Sequence, residues 1–197
     1  MTEGWYELVN ADVPITQGDL IFSCPVIGWQ SDTIDLQGKE YTEVLDSASD
    51  VISADVVVLT QACDLEHSKV ANVILCPHFS LKEYKSAWET EMKNRNNNPS
   101  PKAWRSHCSD ICDGFIWNLA MLNSFENKDY KLDIRVVDFH DIFTIPRIFL
   151  ESLLKQRDEY RFRLLPPYRE HLSQAFARFF MRVGLPIEIS KEKFTIS

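Results

Sequence analysis

The sequence has no long apolar run. Its most hydrophobic stretches, such as Val56-Val57-Val58-Leu59, stop after a few residues, where crossing a bilayer takes about 20. Positive charge is scarce early on: no arginine precedes Arg95, and the first 100 residues hold 6 Lys/Arg against 16 Asp/Glu, a balance of −10. From Pro101 onward the count is 15 against 13, a balance of +2. Phosphate contacts need a positive face, so the acidic half argues against general nucleic-acid binding. It suits solubility or a basic protein partner. Met1 to Asp12 lacks the basic start and apolar run of a secretory signal. The cysteines (Cys24, Cys63, Cys76, Cys108, Cys112) are an odd set, whereas secreted disulfide frameworks use even ones, so a reducing cytoplasm is expected.

What is present is the material of one globular domain over residues 1–197. Hydrophobic residues make up 45 % and charged residues 25 %, with 12 Phe, 5 Trp and 6 Tyr for a core. Asp19-Leu20-Ile21-Phe22 reads as a short strand entered through Gly18 and broken by Pro25 and Gly28. Gly38 to Leu45 alternates polar and apolar like an antiparallel strand with one wet face, followed by a polar turn over Asp46 to Asp50. Asp55 to Gln61 is β-branched and apolar on both sides, which predicts a central strand, with Val70 to Cys76 its neighbour. Between them Ala62 to Lys69 reads as a loop held near the sheet.

Ser80-Leu81-Lys82-Glu83 is a capping box, and the helix it opens carries Leu81, Tyr84, Trp88 and Met92 on one stripe. The breaker-rich stretch from Asn94 to Pro101 is expected to be a mobile loop within the domain. Ala103 to Asp113 reads as a helix, Phe115 to Leu122 and Leu132 to Phe139 as strands, and Pro146 opens a helix from Arg147 to Arg157. Tyr168, Leu172, Ala175, Phe176, Phe179, Phe180 and Val183 follow steps of three and four, which predicts an amphipathic helix closed by Gly184 and Pro186.

Several side-chain groups invite a chemical reading. Cys108 and Cys112, with Cys63, Cys76 and His78, offer metal-ligand types, but a structural zinc site shows two close Cys pairs and only one is present. Buried free cysteines are expected instead, with no metal or other cofactor. Cys63 with His67 or His78 would make a nucleophile–base pair, yet no oxyanion-hole glycines flank it. Asp138, His140 and Asp141 read as an acid–base cluster or as a hydrogen-bonded Asp138–His140 pair bracing a strand. The arginines Arg157, Arg161, Arg163, Arg169, Arg178 and Arg182 read as a local basic surface for an acidic partner or RNA, or as solvated helix residues.

Gly18-Asp19-Leu20-Ile21, Val57-Val58-Leu59-Thr60, Val136-Val137-Asp138-Phe139-His140-Asp141-Ile142 and the helix from Tyr168 together resemble, in that order, the MazF/PemK-like family of toxin-type proteins. Together they cover roughly half the chain. The resemblance implies an α+β fold built on an SH3-like, partly open antiparallel β-barrel, with a helical insert over Ser80 to Ser124 and a closing C-terminal amphipathic helix. It also implies where this chain departs from the family's ribonucleases. The Arg expected before the Val-Val-Leu strand falls on Ala54, beside Asp55, and Phe79 stands where a Thr or Ser would follow the neighbouring strand's Pro. RNA cleavage needs a cation near the developing oxyanion, so only Ser80 or His78 is left to substitute. The expectation is a non-enzymatic MazF-like module of a prokaryotic stress or antiviral defence system. One arrangement the resemblance implies is a sigma-factor inhibitor in a CRISPR-linked protease pathway. Its partner would be a protein, held in a groove floored by Thr60 and Gln61 and edged by Cys63 and Asp64, with no membrane contact. The alternative is a toxin-type endoribonuclease with a rearranged site.

Overall fold

The computed structural model describes residues 4–29, 38 and 40–181. Among the described residues ten strands and six helices follow one another: β1 (Tyr6–Val9), β2 (Asp19–Trp29), α1 (Tyr41–Ala48), β3 (Ser49–Val58), α2 (Ala62–Glu66), β4 (Asn72–Ser80), α3 (Leu81–Asn94), α4 (Pro101–Cys112), β5 (Leu119–Leu122), β6 (Phe125–Glu126), β7 (Lys131–Leu132), β8 (Arg135–Asp138), β9 (Phe143–Pro146), α5 (Arg147–Arg157), β10 (Arg161–Leu164) and α6 (Tyr168–Phe180). The fold is α+β. The main sheet is antiparallel, in the order β1-β10-β2-β3-β4-β8-β5, with β9 on β4, and β6 and β7 form a separate pair. Among the described residues the path ends at β1 and β5 without closing.

The centre of this sheet is the strand whose both-sided apolar character marks it in the sequence. Val57 and Leu59 enter one core with Leu20, Val137, Phe139, Phe162 and Leu172, under α6. Val56 and Val58 enter the other with Ile21, Val73, Leu75, Leu150 and Leu154, under α5. Side chains on a strand alternate, so one β-branched run serves both layers. Each fully buried valine or leucine contributes about 1.5–3 kcal/mol. A third cluster of Ile111, Leu119 and Val136 ties α4 to β5 and β8. The α3–α4 pair is held by aromatic contacts, with the Tyr84 hydroxyl 2.8 Å from His107 Nε2 and Trp88 5.1 Å from Trp104 between ring centres.

Several expectations need correction. Residues Tyr41–Ala48 form α1, not a strand. Tyr41, Val44, Leu45 and Ala48 satisfy a helical period as well as an alternating one, and burial of Val44 and Ala48 decides for the helix. The polar stretch after it is not a turn, because β3 begins at Ser49. β2 is not broken at Pro25 and Gly28 but runs through both to Trp29. Its pairing with β10 stops at Leu20, so beyond that point its one partner strand among the described residues is β3, and Pro25 costs no bond on the other edge. At Gly28 the Ile52 side chain crosses the backbone so closely that a Cβ would lie 2.8 Å from its Cδ1. Gly18 turns into β2 at φ +85°, where a Cβ would meet that of Leu164 at 2.9 Å. The strand expected from Phe115 begins only at Leu119, and the one from Leu132 is split into β7 and β8. The Asn/Pro-rich stretch links α3 to α4, where the Ser100 side chain accepts from Ala103 N with Pro101 in the first turn. The proposed helix stop at Val183, Gly184 and Pro186 lies outside the described residues.

β2 carries a bulge between Ile21 and Cys24, with Ser23 at φ +48°. Two charged side chains pin it. Asp55 Oδ1 accepts from Ser23 N at 2.9 Å, and Arg157 donates to the Phe22 and Ser23 carbonyls at 2.7 and 2.6 Å. The bulge sits where the pairing of β2 with β10 ends and its far half, paired among the described residues with β3 alone, begins.

Candidate functional site

The four residues expected to line a groove separate in character. Thr60 is buried, and its Oγ1 accepts from Ile74 N at 2.7 Å, so the hydroxyl bridges β3 to β4 instead of facing a ligand. Gln61 precedes α2, and Cys63 and Asp64 lie on it. Gln61 and Cys63 are exposed, and Leu65 anchors the helix in the core. Cys63 Sγ lies 3.7 Å from both Gln61 Oε1 and Asp64 Oδ1. Asp64 pairs loosely with Lys69 at 3.8 Å. Among the described residues no histidine nitrogen is bonded to Cys63, so the arrangement lacks the base that a cysteine nucleophile needs.

The residues that would have to replace the ribonuclease chemistry are engaged in structure. Ser80 caps α3: its Oγ accepts from Glu83 N at 3.2 Å and donates to Glu83 Oε2 at 2.7 Å, while Ser80 N donates to the same carboxylate at 2.8 Å. These bonds hold the Glu83 carboxyl below its usual range. His78 is 1 % exposed. Its Nδ1 accepts from Arg135 Nε at 2.9 Å, and its ring stands edge-on to Phe22 at 5.3 Å. Burial first, and the Arg135 charge second, push the imidazole well below its ordinary pKa, so it is neutral with its remaining proton on Nε2. That nitrogen is buried without a hydrogen-bond partner among the described residues.

Arg135 is the site residue that the sequence reading missed. It comes from β8, and its Nη2 donates to Asp55 Oδ2 at 2.7 Å and to the His78 carbonyl at 3.2 Å. A guanidinium therefore lies beside Asp55 after all, although no arginine precedes β3 in the chain. The sequence did carry a signal. An arginine inside Leu132-Asp133-Ile134-Arg135-Val136-Val137 must be paired if the strand is buried. The guanidinium is itself buried, and its bonds run to protein acceptors.

The remaining candidates are also resolved. Cys24 and Cys76 are buried thiols pushed up to about 11 and about 12, chiefly by burial, which leaves them unreactive at neutral pH. Cys63 and Cys112 are exposed, contrary to the expectation of buried cysteines. Among the described residues no three His, Cys, Asp or Glu side chains converge as a metal site would require. Asp138 and His140 form the expected pair, with Oδ1 accepting from His140 N and lying 3.0 Å from Nδ1. The arginine series is largely spent inside the fold. Arg161 and Arg163 both donate to Asp19, which is 0 % exposed, at 2.8 and 2.6 Å. Arg157 pins the bulge, and Arg169 pairs with Glu170 at 2.7 Å. Arg182 lies outside the described residues.

Two surface features remain. A half-open cleft of about 450 Å³ runs between α4, β5 and α6, lined by Trp5, Leu119, Leu172 and Ala175 with His171 and Arg178. The second is the far end of the β2–β3 ribbon. There Ile27 is 54 %, Trp29 61 % and Val51 63 % exposed.

No family model matches the chain, and none of the curated proteins compared with it matches. Among the described residues no helix is long and apolar enough to cross a membrane.

Proposed function

We propose that this protein is a MazF/PemK-like module that acts by binding a protein and performs no RNA chemistry, within a prokaryotic stress or antiviral defence system. On this reading the antiparallel path through the bulged β2, β3 and β4 is the SH3-like, partly open barrel, α3 and α4 are its insert, and α6 closes it. A sigma factor is the partner class toward which the family resemblance points.

The observation that carries the reading is the commitment of His78 and Ser80 to the fold. A general base must reach the proton it abstracts, yet His78 is buried with Nδ1 already accepting from Arg135. Ser80 spends its hydroxyl on the capping box. The competing reading, an endoribonuclease with a rearranged site, draws on the Arg135 guanidinium near Asp55. Stabilising a phosphorane would need donors aimed at open space, and the Nε and Nη2 donors of Arg135 run to His78 and Asp55.

Capture of the tagged protein from its native cells tests the proposal. A protein partner recovered in a fixed ratio, with the protein itself unmodified, is expected. Recovery of RNA fragments without any protein in fixed ratio would contradict it.

A further inference from the structure

The cleft between α4, β5 and α6 is lined by two kinds of surface. Its base is apolar, with the buried side chains of Leu119, Leu122 and Leu172 beneath it and only the methyl group of Ala175 contributed by the next turn of α6. Trp5 and Tyr168 make one wall, stacked with ring centres 4.0 Å apart and planes 13° apart. Trp117, 44 % exposed, adds a further ring to the lining. The volume of about 450 Å³ falls within the range of small-molecule sites, about 300–1,000 Å³.

Much of the polar lining comes from one helix. His171, Gln174, Ala175 and Arg178 recur at steps of three and four along α6 and all line the cleft, while Phe176 and Phe179 pack on the core. Arg178 reaches from α6 to the end of α4, where a Cβ on Gly114 would lie 2.6 Å from its Nη2. Gly114 is at φ +73°, so a glycine serves both the turn and the close approach of the guanidinium.

Arg178 also differs from the arginines around it. Arg157, Arg161, Arg163 and Arg169 all donate to acceptors within the fold. Among the described residues Arg178 has neither a hydrogen bond nor an ion pair. Asp113, the one carboxylate on the lining, is exposed and accepts from Ser109 Oγ at 3.2 Å.

These features select the occupant. Aromatic walls favour a flat ring, held by offset-stacked or edge contacts. An uncommitted guanidinium presents a planar fork of donors that matches a carboxylate. A cation of the same shape would meet Arg178 as a like charge, and a straight alkyl chain would leave the ring faces without a partner.

We infer that this cleft binds a small planar aromatic carboxylate, with its ring among Trp5, Tyr168 and Trp117 and its carboxylate on Arg178. The site is separate from the expected protein-binding groove at Thr60 to Asp64 and goes beyond the reading of the chain as a protein-binding module.

The indole N–H signals of the five tryptophans in the full chain test it by NMR, each assigned by its Trp→Phe change. Titration with 2-naphthoate should shift the signals of Trp5 and Trp117, which line the cleft, and leave those of Trp29, Trp88 and Trp104 in place. The amine 2-naphthylmethylamine and the straight-chain octanoate should each bind at least about tenfold more weakly. Arg178→Gln should weaken naphthoate binding about tenfold, since it removes a charge-assisted pair, and Ala175→Phe should abolish it by filling the cleft. Arg178→Gln alters an exposed side chain, so the test stands even if Ala175→Phe folds poorly. No saturable shift with naphthoate, equal binding of the amine or of octanoate, unchanged affinity in Arg178→Gln, or shifts spread over all five indoles would each overturn the inference. RNA cleavage by the protein would instead remove the binding-module reading, and it would leave these titrations unchanged.

Discussion

Arg135 donates from Nε to His78 Nδ1 at 2.9 Å, joining two side chains that are 57 residues apart in the chain and both buried. The same guanidinium reaches Asp55 on β3, so one cation links β3, β4 and β8. Asp55 in turn accepts from Ser23 in the bulge of β2. The network accordingly fixes the geometry of four strands, and its chemistry is structural.

Replacing Arg135 by Met should destabilise the protein by about 3 kcal/mol, since it leaves His78 Nδ1 without a donor and the Asp55 carboxylate without its cation. Asp55 is partly exposed, which keeps the loss toward the lower end of what breaking a buried pair costs. Urea unfolding followed by tryptophan fluorescence measures it.

Stability should fall as pH drops below about 6.5. Burial and the Arg135 charge hold the His78 imidazole well below its ordinary value in the folded protein, while the unfolded chain takes up the proton near that value. The stabilisation is therefore complete above the unfolded pKa and is lost as pH falls toward the folded one, at up to about 1.4 kcal/mol per pH unit. His107, also lowered chiefly by burial, adds loss of the same sign. A His78→Gln variant keeps an acceptor for Arg135 and does not titrate, so its stability should depend less on pH between about 7.5 and 5.5. An unchanged slope would contradict this assignment.

Asp19 carries a heavier load than its place at a strand start suggests. It is fully buried, accepts from Arg161 and Arg163, and also accepts from Thr16 N at 3.1 Å. Asp19→Asn leaves two guanidinium groups facing a neutral amide, and should cost about 3–5 kcal/mol. A fall in Tm measured by circular dichroism checks it.

The sequence made legible whatever depends on local pattern. The two-faced apolar run of β3, the Ser80 capping box and the stripe of α6 are short-range signals, and each lies where the pattern puts it. What depends on distant partners was hidden. Asp19 and Arg161 are 142 residues apart, so nothing local announces that they form a buried pair. β10 alternates arginine with apolar residues, and the partner that accounts for its arginines, Asp19, lies far away in the chain. Residues Tyr41 to Ala48 fit two periods at once, and only packing chose between them. At the expected groove, the strand end before α2 was legible. The use of the Thr60 hydroxyl to hold Ile74 was not, because that bond crosses strands.

Incubation of purified wild-type protein with end-labelled RNA tests the central claim most directly. The account predicts RNA loss no faster than in a protein-free control, and no change on replacing Ser80 by Ala, a substitution expected to cost only about 1 kcal/mol of stability. Cleavage that follows the protein through purification, and disappears in a folded Ser80→Ala or His78→Gln variant, would contradict it.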